Sequence, residues 1–372
     1  MKVVINALQY KPNSSGIGVM LRELFGQYSK ITGRRCQIVL PKGSPDFPAG
    51  KSTELIYAPF EYEQGYKRML FQSILMGRKH CCDALLLTTD SSTPFFMPKN
   101  SKLIPIVTDL AVYRMPEVYL RSRVLLWRFR YKYIRRRADL FLAISEFTKR
   151  EMTDILKIPA GKIHVVPCAC SEQMKRVEDS EKLAALREKY GLPEQFILFV
   201  GNTNPRKNLD RMIKAFDLMK SRTDTPCRLV IAGGQGWKFD RDRVLEGIEH
   251  RDDVLFTGFV PDEDMPALYS ASALLAFVTL YEGFGIPVLE AQQCGVPVLT
   301  SNTSSLPEVG GDGALYVDPY DIEDICKGMQ RILEDEELAQ QLVMNGYENA
   351  KRFSWEKSAQ LLDKIIEKEV MK

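Results

Sequence analysis

The sequence predicts an α/β fold of two Rossmann-like β/α/β domains, and three observations predict it. Short apolar runs alternate with amphipathic stretches along the whole chain. That alternation breaks once, between residues 168 and 192, and then restarts. Glycine-rich segments follow several of the apolar runs, where open α/β sheets bind their ligands.

The bulk properties agree. A length of 372 residues suits two domains at roughly 100–200 residues each. With 45% hydrophobic and 27% charged residues, the composition is that of a soluble globular protein. No run reaches the ~18 apolar residues that a bilayer span needs. Met1-Lys2-Val3-Val4-Ile5 reads as a first strand, not a signal peptide, so a cytoplasmic protein is expected. The eight cysteines (Cys36, Cys81, Cys82, Cys168, Cys170, Cys227, Cys294 and Cys326) form no C-x-x-C pair and read as reduced thiols. His80, His164 and His250 are scattered, which argues against a histidine metal centre. Net charge is +3, yet residues 1–170 carry 27 Lys/Arg against 13 Asp/Glu, and residues 171–372 carry 24 against 35. A basic first half points to an anionic partner, either nucleic acid or membrane headgroups.

Along the chain, residues 3–6, 36–40, 84–87, 103–107, 140–144 and 164–167 read as strands. They are nearly continuous in apolar residues, as strands buried on both faces are. Ile17, Met20, Leu21, Leu24, Phe25 and Tyr28 recur at helical spacing after the first of them. Residues 1–170 are thus expected to form the first domain. The stretch 171–187 is charged and helix-prone and ends near Gly191-Leu192-Pro193, so 171–192 is expected to be a linker. The second domain, 193–352, restarts with strands at 196–200, 228–232, 254–257, 273–278, 296–300 and 314–317. A last helix within 353–372, capped by Ser354, is expected to pack back toward the first domain. Repeated β-α alternation implies parallel sheets wrapped by helices on both faces.

Four loops can carry chemistry. Ser14-Ser15-Gly16-Ile17-Gly18 opens a helix after the first strand. Its glycines let an anion approach the backbone at a helix start, and a plain tight turn accounts for it equally well. The loop 201–208 holds Asn202, Arg206 and Lys207 before a helix that Asn208 is placed to cap. Two cations at a helix N-terminus suit a diphosphate; a solvated basic turn is the plainer account. Gly233-Gly234-Gln235-Gly236-Trp237 lies either close to a nucleotide or in a simple turn. In Tyr281-Glu282-Gly283-Phe284-Gly285-Ile286-Pro287-Val288-Leu289-Glu290, Pro287 suits a helix's first turn and Gly295 its end. Amides at that helix start suit a diphosphate, and Glu282 suits a sugar hydroxyl. Glu290 suits a ribose diol, because an ionised carboxylate accepts from two O–H donors. Its apolar neighbours Val288, Leu289 and Ala291 argue against a plain surface acid.

The order of these loops carries a resemblance. The matching stretches are Ser15-Gly16-Ile17-Gly18, Ile144-Ser145-Glu146-Phe147-Thr148-Lys149, the 201–208 loop and Ile231-Ala232-Gly233-Gly234. They continue with the E-x7-E pair Glu282/Glu290, residues 301–309, Val317-Asp318-Pro319 and Phe353-Ser354-Trp355. Together they span nearly the whole chain and resemble glycosyltransferase family 4, which has the GT-B fold of two domains facing across a cleft. The E-x7-E block is highly specific, and the 15–18 stretch alone is not. Asn204-Pro205-Arg206-Lys207-Asn208 and residues 300–308 resemble the mannosyltransferase-like group of bacterial surface-polysaccharide enzymes.

The resemblance implies a hexosyltransferase that retains anomeric configuration, with the nucleotide-sugar donor in the second domain and the acceptor on the first. Carried over, Glu290 holds the ribose hydroxyls and Glu282 touches the transferred sugar. Phe284, Gly285 and Ile286 offer backbone contacts, and Gly234 lies near the nucleotide. Lys207 and Arg206 neutralise the diphosphate, and Gly16 and Gly18 bring the first domain's loop to it. There are two departures. Asn202 stands where many relatives carry arginine, which leaves that charge to Arg206. Thr108-Asp109 stands where many carry His-Asp, so Thr108 has to supply the hydrogen bond to the donor sugar, and Asp109 stays among the catalytic candidates. The implied mechanism has the nucleoside diphosphate leave while the acceptor hydroxyl attacks from the same face. Cations and helix-start amides stabilise the leaving phosphate, which itself takes the acceptor's proton. No metal or other cofactor is expected.

The acceptor side is read from charge. The helix 121–137 interleaves Arg121, Arg123, Arg128, Arg130, Lys132, Arg135, Arg136 and Arg137 with leucines and aromatics, and Lys67, Arg68, Arg78 and Lys79 flank another apolar patch. Such a helix can lie on anionic lipid, which a lipid-linked saccharide acceptor at the inner face of the plasma membrane would explain. A packed helix with a solvated basic face is the plainer alternative. GDP-mannose is the first expected donor and UDP-glucose or another UDP-sugar the second. Two remote alternatives are a nucleotide-sugar epimerase on the same fold and a nucleic-acid-binding protein. The latter leaves the acidic pair and phosphate loops unexplained, so no nucleic acid partner is expected.

Overall fold

Uninterrupted runs such as Phe196-Ile197-Leu198-Phe199 leave no polar face for solvent, so they belong in the middle of a covered sheet. The computed structural model places them there. It describes residues 1–11, 16–44, 46–76, 82–88, 94–97, 100–234, 236 and 240–370. Ser14, Ser15, Arg78, Lys79, His80, Cys81, Gln235 and Trp237, all read above from sequence, lie outside the described residues. The chain divides into two units, Met1–Ala169 with Phe353–Lys372, and Cys170–Arg352.

The first unit holds β1 (Lys2–Asn6), β2 (Arg35–Leu40), β3 (Thr53–Tyr57), β4 (Ala84–Thr88), β5 (Lys102–Val107), β6 (Phe141–Ala143) and β7 (Ile163–Val165). They form one parallel sheet in the order β3-β2-β1-β4-β5-β6-β7. β3 is absent from the sequence reading because it is an edge strand with no fully buried residue, and so has no continuous apolar run. The second unit holds β8 (Phe196–Val200), β9 (Arg228–Ala232), β10 (Val254–Gly258), β11 (Leu274–Phe277), β12 (Val298–Ser301) and β13 (Leu315–Val317). These are also parallel, in the order β10-β9-β8-β11-β12-β13. Strand order reverses between β1 and β4 in one sheet and between β8 and β11 in the other. Such a reversal opens a crevice beyond the carboxyl ends of the strands.

The expected linker 171–192 is corrected by the structure, because it is an integral part of the second unit. Its helix Ser180–Tyr190 starts on Asp179, whose carboxylate accepts from the amides of Glu181 and Lys182 at 3.0 and 3.1 Å. Lys189 and Tyr190 then both reach Asp264, at 2.7 and 2.5 Å. Arg176 donates to the Gly295 carbonyl at 2.9 Å. The charge density is therefore the outer face of a docked helix. The last helix, Trp355–Val370, belongs to the first unit. Ser354 Oγ accepts from the Lys357 amide at 3.2 Å, Ser358 donates to the Pro167 carbonyl at 2.7 Å, and Asp363 pairs with Arg34. Its apolar face packs on the helix Ile17–Ile31. The seven described cysteines are buried, and burial pushes the Cys36, Cys168 and Cys294 thiols up to about 12. Among the described residues, no helix is long and apolar enough to cross a membrane.

Candidate active site

The switch point of the second unit gathers the charged residues of two separate loops. β8 runs into the loop 201–208 and β11 into the segment 278–285, and the Leu280 amide donates to the Arg206 carbonyl at 2.9 Å. Lys207 Nζ donates to Glu282 Oε1 at 2.8 Å. The Arg206 guanidinium lies 3.4 Å from Oε2 and donates to the Tyr281 carbonyl at 3.3 Å. The Lys207 ammonium also sits 4.6 Å from the centre of the Phe277 ring, which stacks on Phe199, a favourable cation–π geometry. Lys207 and Glu282 are only 8% and 7% exposed, and charges so deep persist only when paired. Burial alone pushes the Glu282 carboxyl up. Arg206 and then Lys207 outweigh burial and hold it below the ordinary carboxylate value. Two cations on one ionised acid leave the cluster with net positive charge.

The surrounding backbone is held by residues that the sequence reading counted only as part of a family-like stretch. Ser305 Oγ donates to the carbonyls of Glu282 and Phe284, at 2.9 and 2.7 Å, and Ser304 Oγ accepts from the Glu282 amide at 3.2 Å. Gly285 takes φ +109°, and a Cβ there would lie 2.6 Å from Leu306 Cδ2. The helix Ile286–Gln293 follows with Pro287 in its first turn, and Gly295 lies just past its end at φ +67°. Phe284 is buried, and its carbonyl is one of the two that Ser305 engages.

Two expectations change. Asn208 does not cap the following helix Leu209–Arg222 with its side chain. Held at φ +62°, it turns Nδ2 to the carbonyls of Val278 and Pro319 instead, at 3.1 and 2.7 Å, and so pins the cationic loop to the end of β11. The glycines of the third loop serve close backbone packing. A Cβ on Gly233 would run into the Gly201 carbonyl, and one on Gly236 would lie 2.6 Å from the Asn204 nitrogen. The Gly236 amide donates to Thr203 Oγ1 at 2.9 Å. Gly234 is different, with nothing within 4 Å of where its Cβ would be. Asn202 is exposed, and its Oδ1 accepts from Asn204 Nδ2 at 2.6 Å.

Glu290 sits on the helix Ile286–Gln293 and differs from Glu282 in its partners. The hydroxyl of the fully buried Tyr269 donates to its Oε2 at 2.6 Å. Burial pushes Glu290 up to about 7, with the Tyr269 hydrogen bond opposing and Asp262 adding. Cys170 and Cys294 are also in electrostatic contact with Glu290. Sequence reasoning missed Tyr269, although a tyrosine on the apolar face of a short helix needs a partner for its hydroxyl. Removing that hydroxyl with Tyr269→Phe should raise the Glu290 pKa further. Any function that needs the ionised carboxylate should then lose its acid limb at a higher pH than in the wild type. For the unliganded fold the sign is opposite to the usual acid case. A raised folded pKa contributes stability below about 4.3, the ordinary glutamate value, and loses it as pH rises through about 7. Thermal midpoints of wild type and Glu290→Gln across this window check it, and parallel curves would exclude Glu290 as the titrating group.

The first-unit residues stand apart in sequence and in fold unit. Gly16, at φ +67° with open space around it, precedes the helix Ile17–Ile31, and Gly18 is buried in that helix's first turn. Thr108 and Asp109 follow β5. Asp109 Oδ1 accepts from the Ala111 amide at 3.0 Å, and its carbonyl accepts from the Tyr131 hydroxyl at 3.0 Å. Asp109 therefore also shapes the turn into the helix Ala111–Arg114.

Known proteins share this build. A family profile described as "Glycosyl transferases group 1" matches residues 184–349, and one described as "Glycosyltransferase Family 4" matches residues 101–173. O-antigen chain mannosyltransferase B of Escherichia coli is 34% identical over 271 residues, covering 70% of this chain and 69% of that protein. The serotype-specific mannosyltransferase WbdA of Escherichia coli is 34% identical over 233 residues, or 60% of this chain, which spans only 28% of its length. Among solved structures, the sucrose-phosphate synthase of Thermosynechococcus elongatus superposes with a TM-score of 0.77 over 99% of this chain and 98% of its own. At 19% identity that likeness shows the fold alone. With the paired cations and acids of the second unit falling inside the group 1 match, the chain belongs to the family 4 glycosyltransferases and has their GT-B fold.

Proposed function

We propose that this glycosyltransferase moves mannose from GDP-mannose, with retention of configuration, to a saccharide or lipid-linked saccharide acceptor in polysaccharide assembly. The observation that carries the reading is the Arg206–Lys207–Glu282 cluster at the switch point, a buried, net-positive site built on one carboxylate. The choice of mannose leans on the similarity to the two mannosyltransferases of Escherichia coli. Arg206 and Lys207 take the charge that grows on the leaving diphosphate, the role a metal fills elsewhere. Glu282 accepts hydrogen bonds from the sugar and Glu290 from the ribose hydroxyls. The acceptor hydroxyl forms the new glycosidic bond as the bond to the diphosphate breaks on the same face, and its proton passes to the departing phosphate oxygen. The basic helix Arg121–Arg137 faces an anionic membrane surface in this reading, at the inner face of the plasma membrane.

The test is thermal stabilisation by a panel of nucleotide-sugars and free nucleoside diphosphates, followed by the anomeric configuration of the product. GDP-mannose and GDP should stabilise the wild type selectively, and Glu290→Ala and Lys207→Ala should lose the effect. Selective stabilisation by a UDP-sugar would move the donor to the second expectation. An altered free nucleotide-sugar with no transfer product would favour an epimerase. No shift with any member of the panel would remove the proposed site.

A further inference from the structure

Large apolar side chains are unevenly exposed on this protein. Of the 16 described large hydrophobics left on the surface, nine (Tyr66, Met69, Leu70, Phe95, Phe96, Leu120, Leu125, Leu126 and Phe129) come from three short segments of the first unit. Scattered singles need no explanation, whereas apolar side chains gathered in one place mark an interaction site, and five of the nine (Met69, Leu70, Phe95, Leu126 and Phe129) line one groove together. Between these segments lies a groove of about 230 Å³. One wall is Met69, Leu70, Ser73 and Ile74, the other is Leu126, Phe129, Arg130 and Tyr133, and Phe95 closes the end. Two contacts hold it in shape. The Phe95 amide donates to the Ser73 carbonyl at 2.8 Å, and the Phe95 ring meets Tyr133 edge-on at 5.7 Å between centroids.

The surroundings say what fits. The helix Arg121–Arg137 has eight basic and no acidic residues, and the segment 65–76 adds Lys67 and Arg68, again with no acid. On the groove face, Leu126, Arg130, Tyr133 and Arg137 follow one another at helical spacing, so the apolar lining runs directly into guanidinium groups. A protein partner's apolar patch would need a large acidic rim to match. A single amphiphile with a hydrocarbon chain and a phosphate head matches both features at once.

We propose that this groove holds one hydrocarbon chain of an anionic, phosphate-headed lipid, with the phosphate on the arginine-rich rim. The site deepens the reading of a lipid-linked acceptor at a membrane surface and rests on it. It also goes beyond surface adsorption, because it removes one chain from the bilayer and gives the first unit a stoichiometric lipid site.

The experiment is calorimetric titration of the full chain with octyl, decyl and dodecyl phosphate below their micellar concentrations, with inorganic phosphate and dodecyl maltoside as controls. One-to-one saturable binding is expected, tightening by about three- to fourfold per added methylene. Inorganic phosphate should bind undetectably and the uncharged maltoside at least about tenfold more weakly than dodecyl phosphate. Ser73→Trp, which fills the groove, and Leu126→Glu, a surface change that sets an anion beside it, should each weaken dodecyl phosphate binding by about tenfold or more, with thermal unfolding verifying that both are folded. Binding without chain-length dependence, or unchanged in both folded variants, overturns the proposal. So does a concentration-dependent dimer that the two variants abolish, which would make a second copy the occupant. Sedimentation with anionic vesicles separates the two readings. Vesicle binding that survives both variants, with no binding of the monomeric amphiphile, would sink the groove and leave surface docking standing.

Discussion

Lys207→Met should cost about 3–5 kcal/mol of stability, the penalty for taking the nearest partner from a buried carboxylate. For a unit of this size that lowers the thermal midpoint by roughly 10 °C. Arg206 stays near Glu282 Oε2 at 3.4 Å, so the loss falls short of a fully orphaned charge. The double variant Lys207→Met/Glu282→Gln should recover much of the deficit, because it removes the acid along with its partner. Neither variant should recover activity, and kcat/KM should fall by about 10²–10³-fold in both, the scale of losing one preorganised charge-stabilising donor. The pH dependence has a definite sign. The folded Glu282 pKa lies below its unfolded value, so the pair stabilises above the ordinary carboxylate range and loses this as pH falls through the folded pKa. The gap between wild type and Lys207→Met should therefore be widest at neutral pH and close in acid. Denaturant titrations at pH 7 and pH 4 measure it, and a single variant as stable as the wild type at pH 7 would mean that Glu282 does not depend on Lys207.

Gly233→Ala should be nearly as damaging, by a different route. Its φ of +148° lies where a side chain is strained, and its Cβ would run into the carbonyl of Gly201, a residue held just past the end of β8 by its amide's 2.9 Å hydrogen bond to the Ala232 carbonyl. Backbone strain of about 1–3 kcal/mol and overpacking of about 1–3 kcal/mol together predict a loss of at least about 3 kcal/mol. The neighbouring Gly234→Ala is the internal control. It meets no atom within 4 Å and keeps an unstrained φ, so stability should move by less than about 0.5 kcal/mol. If Gly234 also faces the donor, Gly234→Ala should lose donor affinity while staying folded. Equal stability of the two variants would rule out the close approach of the two loops.

Local sequence pattern alone carries the class of fold, the strands buried on both faces, and the loops that form the candidate site. It could do so because central parallel strands and helix starts write local signals: uninterrupted apolar runs, prolines in first turns, glycines at helix ends. The pair Glu282 and Glu290 was legible for the same reason, since both lie in one continuous loop-and-helix block. What the local signal could not carry was anything set by a partner distant in the chain. β3 pairs at an edge and buries little, so its pattern is faint. The helix Ser180–Tyr190 looked like a linker because its attachment to Asp264 is made 75 residues away. Asn208 carried the composition of a cap, yet two carbonyls, at Val278 and Pro319, compete for its amide and win. The charged pairs of the candidate site are of this kind too. Lys207 and Glu282 lie 75 residues apart, and only the parallel pairing of β8 with β11 at the switch point makes them one buried ion pair. Tyr269 and Glu290, on separate helices, become a hydrogen-bonded unit only when those helices pack. Burial and pairing are properties of three-dimensional neighbours, so the sequence could nominate these charges, and only the fold could set their ionisation.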